Sequence, residues 1–308
     1  MKKFFAALVI FLVVVTGMGY FVGDYFVGYA LRRDNPADPN SVPPACAKIA
    51  DPSLKELPLP DFTNENWTIK SADGLELQAT YFLPEENSHK WAVLLHGYGR
   101  NQKFTYDYAE EYLKRGWNVL TPDLRAFGKS GGFYTTMGAF ESRDVVLWID
   151  KIVERDPQAK IIIHGVSMGA ATTMMTSALE PKNLVAIVED CGYTSAYEMF
   201  TAQLDKIFGL PEFPVMPCVE IVCKKETGVS ISEDSPINAV KKTKVPTLFI
   251  HGDADGLVPY PMMQELFDAS SAPIKEKFTV EGAGHADAKR KNPQIYFDKV
   301  FGFLEKFL

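Results

Sequence analysis

Gly165-Val166-Ser167-Met168-Gly169 is the stretch that most narrows what this chain can fold into. It follows the β-branched run Ile161-Ile162-Ile163 and precedes a segment, Met168 to Leu179, that reads as a helix. A strand that becomes a helix within five residues needs a very tight turn, with small residues two positions to either side of its centre. Such a turn pushes the serine hydroxyl out of the edge of a sheet. The helix that follows aims its free N–H groups at the same spot. The five-residue pattern alone is common, and its place between a strand and a helix gives it weight.

The rest of the chain supplies the sheet. Trp67 to Lys70, Asp73-Gly74 and Leu75 to Leu83 read as a hairpin with a short turn. Strands are expected at Trp91–Leu95, Trp117–Thr121, Ile161–Ile163, Leu184–Val188, Thr247–Ile250 and Glu276–Val280. Helices are expected at Phe104–Arg115, Phe140–Arg155 and Gln294–Leu308. Alternation of this kind predicts a mostly parallel sheet covered on both faces, with ligands at the carboxyl ends of the strands. Tyr193 to Lys244 is about twice as long as an ordinary crossover. It holds a helical run, Ala196 to Phe208, then a proline-rich loop with Pro211, Pro214 and Pro217. An insertion there would form a cap, about 193–244, over the carboxyl edge. Its Met199, Phe200, Leu204, Ile207 and Phe208 could line an acyl pocket or simply pack the cap onto the core.

The amino terminus reads separately. Lys2 and Lys3 precede Phe4 to Gly23, 20 residues without a charge. That is about 30 Å of helix, the thickness of a bilayer core. Tyr20, Phe21, Tyr25, Phe26 and Tyr29 resemble an aromatic belt. The expectation is a signal anchor over 1–33, a proline-rich linker over 34–63 and a catalytic domain over 64–308, outside the cell. Arg32 and Arg33 argue against that orientation. A cleaved signal peptide competes, with small-x-small triplets at Gly17-Met18-Gly19 and Gly28-Tyr29-Ala30. Outside the cytoplasm, Cys218 and Cys223 could form a local bridge or stay free, while Cys191 reads as a core residue. Net charge is −7 with a pI near 5.4. That argues against nucleic acid as the main partner, because phosphate binding needs a basic face.

A serine is a poor nucleophile until a base takes its proton, and the base needs a carboxylate to fix its tautomer. Five histidines make the search short. His285 lies directly after the last expected strand, beside the turn at Ser167. His251 more plausibly bonds local backbone, His164 should point away, and His89 sits in a polar turn. Asp255, in the loop after Thr247–Ile250, is the preferred acid. Asp253 is its rival and could form the turn instead, and Asp190 is a lesser alternative that could cap its strand. An oxyanion needs two backbone N–H donors. Met168 supplies one, and Tyr98, in His96-Gly97-Tyr98-Gly99, the other. His96 itself is expected to brace that loop. Neither a metal nor an organic cofactor is required. Gly128-Lys129-Ser130-Gly131 lacks P-loop spacing, and Gly282-Ala283-Gly284 lacks the third glycine of a dinucleotide fingerprint.

Together these residues resemble the α/β-hydrolase superfamily. The resemblance is carried by Ser167 in Gly-x-Ser-x-Gly, by His96-Gly-Tyr-Gly, by Asp123-Leu-Arg-Ala-Phe-Gly-Lys-Ser-Gly, by Asp255 before Val258-Pro259 and by Gly284-His285. It spans residues 64–308 in the right order. Within the superfamily the chain is similar to membrane-anchored or exported bacterial hydrolases grouped with esterases and S9-type serine peptidases. Ala126 stands where glycine is commoner. The resemblance implies an α/β-hydrolase fold, Ser167, Asp255 and His285 as triad, and Tyr98 and Met168 as oxyanion donors. The expected activity is hydrolysis of a small-molecule carboxylic ester through an acyl-enzyme. Peptide or amide hydrolysis, and acyl transfer or thioester cleavage, are alternatives with the same triad. An inactive envelope binding protein is the alternative of another class.

Overall fold

The computed structural model describes residues 2–49, 56–86 and 88–308. Helix α1 (Lys2–Leu31) and the single turn α2 (Cys46–Ile49) precede the hairpin strands β1 (Asn64–Lys70) and β2 (Glu76–Phe82). Then β3 (Lys90–Leu95), α3 (Tyr106–Leu113), β4 (Asn118–Pro122) and α4 (Ala139–Arg155) alternate. They are followed by β5 (Lys160–Val166), α5 (Met168–Ser177) and β6 (Leu184–Asp190). Helices α6 (Ala196–Phe208), α7 (Glu212–Thr227) and α8 (Pro236–Val240) lie between β6 and β7 (Thr247–Gly252). Last come α9 (Pro261–Ala269), β8 (Lys275–Val280), α10 (Ala288–Lys291) and α11 (Pro293–Leu304).

The strands form one 8-stranded sheet in the order β1-β2-β4-β3-β5-β6-β7-β8. β1–β2 and β2–β4 are antiparallel, and the remaining pairs are parallel. The mostly parallel sheet expected from the alternation is therefore present. Its central strands are buried along nearly all their length because both faces are covered. Ile161 and Ile163 enter one core layer and Ile162 the other. Leu95 pairs with Gly165, and Val166 pairs with Asp190. The carboxyl ends of β3, β5 and β6 therefore meet at one edge, where the loops that follow them face each other.

The segment after α6 differs from the expected proline-rich loop. It is helix α7, and Pro217 lies inside it. Phe213 is the last non-helical residue, so Pro214 and Pro217 both fall in the first turn. The first four N–H groups of a helix have no internal partner, so proline costs little there. Cys218 and Cys223 ride on this helix and both are free, which leaves no local bridge. Cys223 is buried with its Sγ near Thr227 Oγ1, whereas Cys218 packs on Gly19 of α1.

Helix α1 has two halves. From Phe4 to Phe21 nearly all the described apolar side chains are exposed, and Ala7–Leu31 is long and apolar enough to cross a membrane. From Val22 onward it is docked on the domain, with Val27 and Leu31 at 1% exposure. Gly23 makes the docking close, since a Cβ there would lie 2.4 Å from the Cys218 carbonyl oxygen of α7. Gly19 and Gly23, four residues apart, are a small-residue face suited to close helix packing. Arg33 follows in a buried site and donates to the carbonyls of Gly128, Ser130 and Asp38. The segment read as a linker is likewise docked where it is described. Ala45 N–H bonds the Tyr29 carbonyl, and Cys46 is buried against Gly99. Residues 50–55 of that expected linker lie outside the described residues.

Because backbone, not a pliable side chain, fills the space at Gly23, Gly23→Leu should force α1 off α7. We expect a loss of about 1–3 kcal/mol, read as a melting temperature several degrees lower for the full chain in detergent. An unchanged melting temperature would show that α1 does not pack on the domain.

Candidate active site

Ser167 has φ +57 and ψ −117, a conformation side chains adopt only under strain. The flanking glycines make this conformation attainable. A Cβ on Gly165 would lie 2.1 Å from the Gly169 carbonyl oxygen, and one on Gly169 would lie 2.2 Å from that of Leu95. Either contact is far inside van der Waals distance, so both positions must be glycine. The strain sets Ser167 at the end of β5 and at the N-terminus of α5. Its N–H bonds the Asp190 carbonyl, which ties the turn to β6.

The other polar side chains converge from the loops after β7 and β8. Ser167 Oγ lies 2.8 Å from His285 Nε2. His285 Nδ1 lies 2.8 Å from Asp255 Oδ2. Asp255 also accepts the N–H groups of Leu257 and Val258 at 2.8 and 2.9 Å. Burial alone would raise its pKa, but bonds from His251 and His285 and these amides hold it far below the usual carboxylate range. Asp255 is therefore ionised, and His285 carries its proton on Nδ1, leaving Nε2 free to accept from the serine hydroxyl.

The competing acids are engaged elsewhere. Asp253 accepts the Gly282 N–H at 2.6 Å and so forms the turn. Asp190 accepts the Tyr296 hydroxyl at 2.7 Å. Burial pushes the pKa of Asp190 up to about 6 and that of its neighbour Glu189 up to about 8.

The histidines sort in the same way. His96 is buried, with Nδ1 bonding the Gly97 carbonyl and Nε2 accepting the Leu124 N–H, so it braces the loop after β3. His164 lies between Tyr112 and Tyr296 in the core. His89 is on the surface, paired with Asp156. His251 bonds the Val258 carbonyl as expected from its loop. It also approaches Asp255 Oδ2 at 3.2 Å, a contact the sequence did not reveal. The two ends of this loop thus hold the carboxylate from both sides.

Cys191 is a further arrival. It is buried, has φ +53, and its Sγ falls within 4.8 Å of the ligand atoms of Asp255 and His285. Cysteine, carboxylate and histidine together could suggest a metal. Burial among carboxylates holds the Cys191 thiol protonated, however, and both other groups are already committed to hydrogen bonds.

The loop His96–Gly99 lies against the serine. A Cβ on Gly97 would stand 3.3 Å from Ser167 Cβ. The backbone at Tyr98 and the N-terminus of α5 at Met168 therefore flank Ser167 from two sides. Two cavities open from this point. One is walled by apolar side chains, including Met199, Phe200, Leu204, Ile207 and Phe208 of α6 together with Met168. The other, on the His285 side, is more polar and is bordered by Lys206, Lys289 and Arg100.

Residues 73–216 match the family model described as X-Pro dipeptidyl-peptidase (S15 family). The uncharacterized protein YqkD of Bacillus subtilis is 28% identical over 241 residues, 78% of each chain. Protein bem46 of Schizosaccharomyces pombe is 24% identical over 82% of this chain and 81% of its own. The Pyrococcus furiosus esterase Pf2001 superposes with a TM-score of 0.66 at 26% identity, covering 80% of this chain and 93% of that one. Pyrococcus horikoshii acylaminoacyl peptidase gives 0.61 at 20% identity, over 81% of this chain and 42% of its own. That is a likeness of fold.

Glu189 carries a pH prediction. Its folded pKa lies above its unfolded value, so its stabilisation is complete at pH 4 and is lost as pH rises through about 8. Glu189→Gln, which cannot ionise, should lose less in melting temperature than the parent between pH 5 and pH 8.5, the remaining fall coming from groups such as Asp190. Equal pH slopes in the two proteins would show that Glu189 is ionised in the fold.

Proposed function

Because the chain belongs to the α/β-hydrolase superfamily and is a hydrolase, we propose that it cleaves carboxylic esters through Ser167, His285 and Asp255. The observation that carries this reading is the unbroken Asp255–His285–Ser167 hydrogen-bond chain, 2.8 Å at each link. Ser167 Oγ attacks the acyl carbon as its proton passes to His285 Nε2. The charge forming on the carbonyl oxygen is met by the N–H groups of Tyr98 and Met168. Collapse of this intermediate sends the proton from His285 to the leaving alcohol. Water, deprotonated by the same imidazole, then releases the acid. Asp255 keeps His285 in the working tautomer and stabilises its cationic form.

A peptidase reading draws support from the family model and from the acylaminoacyl peptidase fold. Removal of an N-terminal dipeptide would require an anionic partner for the substrate's free ammonium. Among the described residues no carboxylate lines the apolar cavity beside Ser167, which favours an uncharged acyl group.

We also place α1 in the membrane as an uncleaved anchor, with the catalytic domain outside the cell. Cleavage after Ala30 would strip away Val22, Phe26 and Val27, which pack in the core, and cleavage after Gly19 would remove the residue that Cys218 packs on. The packing of α1 on α7 supports retention.

Ser167→Ala should abolish p-nitrophenyl ester turnover and fluorophosphonate labelling while leaving the circular dichroism spectrum unchanged. Asp255→Asn should lower kcat by roughly 10³–10⁴. Turnover surviving in Ser167→Ala would remove the triad, and failure of the parent to label would favour a binding protein.

A further inference from the structure

The apolar cavity has walls from two distant parts of the chain. One is α6. The other is the docked half of α1, which contributes Phe26, Tyr29 and Ala30. These walls close on each other through aromatic edges. Phe208 stands 5.3 Å from Phe26 and 5.5 Å from Tyr29, both edge-on. The loop flanking the serine joins the same wall, since the Tyr98 hydroxyl donates to the Ala30 carbonyl at 2.5 Å. A helix long and apolar enough to cross a membrane therefore continues, without a break, into the lining of the cavity that contains Ser167.

We propose that the docked half of α1 is the acyl-chain wall of this site, and that the substrate is a fatty-acyl ester taken from the bilayer. The proposal rests on the esterase reading and names its substrate class. Two observations fix the occupant. The cavity is lined by apolar side chains apart from Ser167, Gln203 and three tyrosines, Tyr29, Tyr98 and Tyr193, and no charged side chain lines it, so it accommodates hydrocarbon and not a charged acyl group. The distance to the source is short. From Phe21, 73% exposed, to Phe26 in the wall is about 7.5 Å of helix rise. The exposed stretch Phe4–Phe21 is itself about 27 Å long, close to the thickness of a bilayer core. An acyl chain leaving the lipid thus has about one and a half turns of helix to pass, beside Asp24, before it reaches the wall.

The test uses the full chain in detergent micelles. Ser167→Ala protein is photolysed with a diazirine-bearing palmitic acid, and the adducts are mapped by mass spectrometry. Adducts on Phe26–Ala30 and on α6 are expected. Adducts confined to Phe4–Phe21, or none at all, would overturn the proposal. In the active protein the ratio of kcat/KM for p-nitrophenyl decanoate over acetate is then compared among variants. Phe26→Ala should lower that ratio about tenfold. Phe26→Trp should shift the optimum to shorter chains, and Val13→Ala, on the exposed half of α1, should keep the parent's ratio. A ratio unmoved by both Phe26 variants would overturn the wall. If cavity adducts form but neither ester is turned over, the esterase reading falls and the acyl pocket stands.

Discussion

The contact of Gly169 with the end of β3 is the constraint from which the site follows. With no side chain at 165 or 169, β5 can fold back into α5 against the Leu95 carbonyl, at a separation that no Cβ would allow. That closeness brings the loop after β3 onto the serine, so that Gly97 and Tyr98 flank it. The parallel pairing of β5, β6, β7 and β8 brings the loops carrying Asp255 and His285 to the same edge. The strained serine is held by the structure around it, as strained backbone generally is at reactive sites. Its N–H is fixed to β6, and its helix is buried along nearly all its length.

Much of this was legible in the sequence because it depends on local rules. The glycines at 165 and 169 mark a turn that needs them. The triple isoleucine marks a strand covered on both faces. His285 and Asp255 were accessible because loops after parallel strands share an edge, which confines the search to a few positions. The choice of Asp255 over Asp253 and Asp190 turned on which loop each carboxylate faces, and the hydrogen bonds distribute the three acids among three separate tasks. Ala126, the departure from the usual glycine, sits at φ +61, a conformation that glycine adopts at less cost.

What stayed hidden depends on contacts between distant residues. Pro211, Pro214 and Pro217 read as a loop because proline breaks helices in their middle, and only the position of the helix start reveals that two of them are harmless. Gly19 and Gly23 are unremarkable in an apolar run until α7 is seen lying on them. Arg33 reads as a charge flanking a membrane segment. In the fold it is a buried clamp on the carbonyls of Gly128 and Ser130. Composition alone cannot show that an apolar helix changes role halfway along. The docked half is the more polar, with Asp24, Tyr25 and Tyr29, yet it continues the same helix and its role shows only once α7 lies beside it.

The two aromatic walls that meet at Phe26, Tyr29 and Phe208 stand about 170–180 residues apart in sequence. Loops of that length close slowly, and nothing between the walls can substitute for the missing side. As the chain emerges from a ribosome, α1 is complete long before α6 and α7 exist. The sheet can assemble strand by strand from β1, but the cavity stays open until α6 and α7 return to the first helix. The helix made earliest is thus one wall of a cavity whose facing wall is made about 180 residues later.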